Sequence, residues 1–195
     1  FKEWNVHRRN RATGANALTL ALSQGSQKLE TMKILLQSGI DVNQSASSGV
    51  TNLMVACSNE DSDPEVVRSL LFKHQCDPDI KSTARGVKWK TIRYVAKSLV
   101  RLGLSKGGLI EHLAHSSGIT ALQYASRRGD IEIVEALLSA GANVSLRNDM
   151  GMNAASWSAA NDELRGMLMK QDRQEKLNKR TKVVVKKKTA LGKRF

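Results

Sequence analysis

One layout recurs along this chain and limits its fold more than any other feature. In GITALQYASRRGDIEIVEALLSAGANV, Gly118 to Val144, Gly118 stands two residues before Thr120. Leu122 and Ala125 lie three apart, as on one face of a short helix, and Arg128-Gly129-Asp130 breaks it. Ile133, Val134, Leu137 and Leu138 then form the apolar stripe of a second helix. Gly141 closes that helix, as glycine does at a C-terminal cap. The unit is therefore helix, turn, helix and extended loop. It recurs as LTLALSQG with LETMKILLQSGIDVN between Gly14 and Asn43, and as TNLMVACS with PEVVRSLLFKHQCDPD between Gly49 and Asp79. Gly14 and Gly49 are 35 apart, and Gly118 and Gly151 are 33 apart.

A unit of about 33 residues in this form resembles the ankyrin-repeat family. The family pattern, G-x-T-P-L-H-x-A-A-x-x-G then x-E-I-V-x-L-L-L-x-x-G-A-D-V-N, is similar to three stretches here. Asp41-Val42-Asn43, Asp77-Pro78-Asp79 and Ala142-Asn143-Val144 stand at its loop positions. GMNAASWSAAND, from Gly151, matches the first helix only. The resemblance implies an all-α solenoid of four to five helix-turn-helix units with extended loops. It also implies no enzymatic activity, and protein binding through loop tips and first helices. No repeat carries the family's Pro or His in its T-P-L-H box, where Asn16 to Thr19, Thr51 to Met54 and Thr120 to Gln123 stand instead. Weaker hydrogen bonding in that turn is the expectation. Gln75 replaces the usual glycine.

The expected organisation is a linker or truncated repeat at 1–10, a repeat domain at 11–169 and a polybasic tail at 170–195. Within the domain, repeats fall at about 11–45, 46–80, 118–150 and a half repeat at 151–169. Asp79 and Ser145 hold equivalent loop positions 66 apart, which is two repeats of 33, so a degenerate basic repeat is expected at 81–117. Trp89, Ile92, Val95, Ala96 and Leu99 would form one apolar helical face there, and Leu109, Ile110 and Leu113 a second.

Charge is segregated along the same map. The net of +13 is made of −1 over 1–80, +8 over 81–106, −3 over 107–169 and +9 over 170–195. The excess thus sits in the irregular repeat and the tail, which points to two contact sites for a polyanion. Lys90, Arg93, Lys97 and Arg101 are spaced as one helical stripe; Lys81, Arg85 and Lys88 precede them. Trp89 suits core packing better than stacking on a base, and Tyr94 is a second stacking candidate. In the tail, Lys176, Lys179, Arg180, Lys182, Lys186, Lys187, Lys188, Lys193 and Arg194 are the expected phosphate contacts. That tail has too few apolar residues to fold alone, so an extended path along folded RNA is expected, with Val183 to Val185 able to pair as a strand with a partner. A nuclear-import signal, an anionic-lipid patch and a plain tail are the other readings.

Nothing suggests catalysis. His112 and His115 flank one helical turn beside Glu111 without further ligands nearby, and Gly103 to Gly108 lacks the phosphate-loop pattern. Cys57 and Cys76 read as reduced buried thiols. No cofactor, metal, small-molecule substrate or membrane span is expected. Charge together with the resemblance points to a structural component of a ribonucleoprotein, of a basic, ribosome-associated type. It would contact RNA through the basic repeat and tail, and neighbouring proteins through the other repeats. The alternative is a soluble adaptor for one protein, whose tail serves import or an acidic partner. An intracellular site is expected. A start at Phe1, as of a processed, trimmed or partly traced chain, favours the mitochondrion over the nucleus or cytoplasm.

Overall fold

The computed structural model describes residues 7–24, 29–83, 87–104, 117–158 and 161–191, with backbone alone at 29, 87–89, 93, 100 and 183–191. The first helix of each unit is set by its cap. Asn16 opens α1 (Ala17–Ser23), Thr51 opens α3 (Asn52–Ser58) and Thr120 opens α6 (Ala121–Arg128). Each of these side chains accepts from the backbone N–H three residues on, and each of those residues reaches back to the cap, forming a capping box. Asn153 caps the short α8 (Ala154–Trp157) in the same way through Ser156 N.

The turn expected to be weakened is therefore well bonded by other means. Asn16 Nδ2 donates to Gln44 Oε1 at 2.9 Å, and Asn52 Nδ2 to the Val42 carbonyl at 3.0 Å. Thr19 Oγ1 reaches Asn52 Oδ1 in the next unit at 2.6 Å. Gln123, at the family's histidine position, donates to the carbonyls of Leu146 and Met152, both at 3.0 Å. These bonds tie the loops to the first helices of the units on either side and satisfy polar groups that burial would otherwise strand.

The second helices are α2 (Leu29–Gln37), α4 (Pro64–Arg68, continuing as a π-helical turn over Ser69–Lys73) and α7 (Ile131–Ser139). The core runs through both rows. Leu18, Leu53, Met54, Leu70, Leu122, Ile133 and Leu137 are buried, and Leu164 and Leu168 close the far end. Gln75 takes the left-handed conformation, φ +51°, that glycine serves in the family.

The order of stacking differs from the expectation for residues 81–117. The first helices pack in the order α1, α3, α6, α8, so α3 lies directly against α6; α4 likewise lies against α7. No layer intervenes. The loop hydrogen bonds explain why. In the ordinary fingers, Asn10 N donates to Ala15 O, Ala46 N to Val50 O and Asn148 N to Met152 O. In the remaining finger, Ser82 N donates to Ile119 O at 2.8 Å, and Gly118 N returns to Ser82 O at 2.8 Å. Thr83 and Ser117 thus stand where the other fingers hold 47 and 48 or 149 and 150. The chain leaves the finger after Thr83 and rejoins it at Ser117, while the helix pairs on either side pack directly on each other.

Helix α5 (Val87–Arg101) belongs to this insertion. Of its expected apolar face, Ala96 is buried and Ile92 and Leu99 are half-buried, but Val95 is exposed. The Trp89 side chain and the second expected face, Leu109 to Leu113, lie outside the described residues, as do Glu111, His112 and His115.

The C-terminal segment is also different. A single helix, α9 (Asp162–Leu191), runs through residue 170 and through Val183 to Val185, where an extended path or strand was expected. Its first turns are nucleated by Asn161, whose Oδ1 accepts from Leu164 N, and by burial of Leu164 and Leu168. Once nucleated, a helix extends at little cost through Lys, Arg, Gln and Glu. Asp172–Lys176 and Glu175–Lys179 add favourable pairs four apart. The helix is about 45 Å long at 1.5 Å per residue. No helix among the described residues is long and apolar enough to cross a membrane.

Candidate functional site

Stacking α1, α3, α6 and α8 brings equivalent positions of the first helices into a row. The fourth residue after each cap is Leu20, Val55, Tyr124 and Trp157. Leu20 is 50% exposed, Val55 and Trp157 are half-buried, and Tyr124 is nearly buried. The seventh positions, Ser23, Ser58 and Arg127, are exposed beside that row. The result is an apolar strip across the first-helix face, edged by hydroxyls on one part and a cation on another. Such a surface can accept apolar side chains of a polypeptide while its edge supplies polar contacts. The family resemblance points to loop tips and first helices as binding elements but does not single out these side chains. Their signal is positional: one register, counted from the cap, holds an apolar residue in every unit.

Arg127 is stacked by two rings. Its guanidinium carbon lies 5.9 Å from the Tyr124 centroid and 5.5 Å from that of Trp157. The neighbouring Arg128 is employed differently. It pairs with Asp130 at 2.9 Å and donates to the carbonyls of Asn59 and Glu60, the latter at 2.9 Å. That bridge crosses directly from the second unit to the unit beginning at Gly118. Arg68 adds another, pairing with Glu65 at 2.6 Å and Glu132 at 2.8 Å.

Some of the expected polyanion contacts already have an internal partner. On the insertion, Lys97 is drawn to Asp149 at 3.0 Å; just before it, Lys81 donates to the Arg147 carbonyl at 2.7 Å. Asp149 also accepts from the Ser117 hydroxyl. That bond, with Lys97 and Lys81, outweighs partial burial and holds its carboxyl below the ordinary carboxylate range. Lys90 and Arg101 are exposed on the same helix. Arg85 and the side chains of Lys88 and Arg93 lie outside the described residues.

On α9, Lys176 pairs with Asp172 and Lys179 with Glu175, and Lys176, Lys179, Arg180 and Lys182 are all exposed. Burial works to raise the Asp172 carboxyl, but hydrogen bonds from Lys176 and Ser145 prevail and lower it. Lys186, Lys187 and Lys188 continue the helical backbone, and Lys193 and Arg194 lie beyond the described residues.

Both thiols are buried. Burial pushes Cys57 well above the usual thiol range despite the nearby Arg128, and pushes Cys76 up to about 11 with help from Asp41. Neither is poised as a nucleophile. Among the described residues, no group of three or more His, Cys, Asp or Glu side chains is arranged to hold a metal ion.

A family model of ankyrin repeats, in three copies, matches residues 2–82, and a single ankyrin-repeat model matches 117–149. Together the matches cover more than half of the chain, and the stretch between them is the insertion. The chain is also 27% identical, over 180 residues, to a mitochondrial disaggregase of Bos taurus. That alignment covers 90% of this chain and 26% of the relative, so the chain spans about a quarter of that protein's length.

Proposed function

Since the chain belongs to the ankyrin-repeat family, a family of protein-interaction scaffolds, we propose that it is the polypeptide-docking module of a mitochondrial protein-disaggregation system. The strip Leu20–Val55–Tyr124–Trp157 is the observation that carries this reading, because it gives the first-helix face an apolar line for a partner chain. Similarity to a mitochondrial disaggregase supports both the class of partner, unfolded or misfolded polypeptide, and the compartment. The module itself is non-enzymatic in this reading; it holds, and chemistry is done elsewhere.

Fluorescently labelled, reduced and carboxymethylated α-lactalbumin, a permanently unfolded chain, provides the test. Leu20→Arg alters an exposed side chain and leaves the core intact. Its affinity for the unfolded probe is expected to fall about tenfold, the scale of losing one interface anchor. An unchanged affinity would remove the strip from the docking surface.

The segregated charge favours a second reading, in which this module contacts RNA phosphates within a ribonucleoprotein such as a mitochondrial ribosome. Exposed Lys90 and Arg101 on α5, and Arg180 and Lys182 on α9, support it. A chain lacking residues 176–195 is then expected to bind RNA more weakly. Its log–log salt slope should become shallower by about 0.7 to 0.9 for each phosphate that the tail no longer neutralises. An unaltered affinity and slope would retire the RNA reading.

A further inference from the structure

Arg127 is the cation of the first-helix face whose environment is built for something that this chain does not itself supply. Its two nearest described partners are rings, not carboxylates: Tyr124 one turn earlier on α6, and Trp157 at the end of α8 in the next unit. Among the described residues no ion pair engages it, although Arg68, Arg128 and Lys97 are each paired with an acid. The two cation–π contacts restrain the guanidinium, and the exposed side chain still presents N–H groups to a ligand. A side chain already confined in this way loses less freedom when it binds. The partner group that fits a planar fork of donors is a carboxylate, taken by two parallel hydrogen bonds.

The surroundings narrow the partner further. Ser23 and Ser58, at the positions equivalent to Arg127, are neutral, and the adjoining row is apolar. A long anionic polymer would find a single cation here and no line of them. A polypeptide with one acidic side chain beside apolar ones matches both features. We propose that Arg127, held by Tyr124 and Trp157, is the carboxylate anchor of the docking strip, and that its partners are segments carrying Asp or Glu next to apolar residues. This rests on the docking role of the strip and adds the chemical preference of the partner.

The test uses a displayed library of random twelve-residue peptides, selected in parallel on the full chain, on Arg127→Gln and on Leu20→Arg. Arg127 and Leu20 are both exposed, and circular dichroism checks that each variant folds. Peptides selected on the unaltered chain are expected to be enriched in Asp or Glu beside apolar residues. That acidic enrichment disappears on Arg127→Gln, while the apolar enrichment persists. A synthetic acidic peptide should bind Arg127→Gln about tenfold more weakly, and its Glu→Gln version should bind the unaltered chain equally weakly.

Absence of acidic enrichment, or acidic enrichment that survives Arg127→Gln, overturns the anchor. The two failures separate cleanly. Peptides that depend on Leu20 but carry no acid retire Arg127 alone, whereas peptides indifferent to Leu20→Arg, or no peptides at all, retire the docking strip and the anchor with it. Binding of an RNA oligonucleotide that Arg127→Gln abolishes, without acidic peptides, would assign the guanidinium to phosphate and also overturn the proposal.

Discussion

Gly49→Ala is expected to destabilise the solenoid by about 3 kcal/mol. Two costs add. Gly49 has φ +84°, where a Cβ meets its own backbone. The new methyl would also lie 2.5 Å from Thr83 N and nearer still to the Thr83 carbonyl, and backbone cannot swing aside as a long side chain can. That contact is where one finger tip abuts the root of the insertion, so the strain falls on the junction that sets the spacing of the second unit against the next. Gly129→Ala isolates the first cost, since Gly129 has φ +84° with nothing within 4 Å of the added atom. It should lose only about 1 kcal/mol. Urea denaturation of both variants measures the gap; equal losses would show that Gly49 does not touch Thr83.

Leu122→Ala should cost about 2–5 kcal/mol, because the methyls removed come from a site 1% exposed and a cavity is left behind. Its position raises the expectation toward the upper end. Helix α6 packs against α3 on one side, α8 on the other and α7 behind, so it is the hub of the stack. In a solenoid, stability is carried by interfaces between neighbouring units. Weakening the hub should divide one cooperative melt into two, with α1 to α4 and α6 to α9 separating. Leu177→Ala, at a position 55% exposed on α9, is the comparison and should change stability by less than about 0.5 kcal/mol. A small loss at Leu122 with one intact transition would mean that the stack is not centred on α6.

Much of this architecture can be read from the residues themselves. The apolar stripes of α2, α4 and α7, and the glycine breaks, follow from spacing. The caps are less obvious, because Asn16, Thr51 and Thr120 open boxes that lack the family's Pro and His, yet their side chains satisfy the N–H groups of the first turn. Residues 83–117 mislead for a physical reason. An insertion at a hairpin tip whose length is close to one repeat keeps the following units in phase. The spacing from Asp79 to Ser145 therefore cannot distinguish an added layer from a looped-out segment. The discriminating signal is local: Ser117-Gly118-Ile119-Thr120 completes the finger that Lys81-Ser82-Thr83 begins, as Ser48 to Thr51 complete the one that Ser45 to Ser47 begin.

The C-terminal helix is obscured by its charge. A high density of lysine suggests a chain that cannot fold alone, but α9 does not fold alone. Leu164 and Leu168 anchor it, and Asp172 and Glu175 each sit four residues before a lysine. Of the candidate site, the basic residues are evident from composition along the chain. Which of them spend their charge internally, as Lys97 does on Asp149, depends on a contact between residues far apart in sequence. The Arg127–Tyr124–Trp157 cluster shares that property, since Trp157 comes from the next unit.

Docking and stability alike depend on one continuous row of first helices, α1, α3, α6 and α8, uninterrupted by the segment that bulges from the finger between Ser82 and Ile119. Excising residues 84–116 and closing the gap with two glycines tests this most directly. The shortened chain is predicted to melt as cooperatively as the full one, within about 1 kcal/mol, and to bind the unfolded probe with the same dependence on Leu20. Loss of cooperative folding, or loss of probe binding in a folded product, would place those residues inside the stack and contradict it.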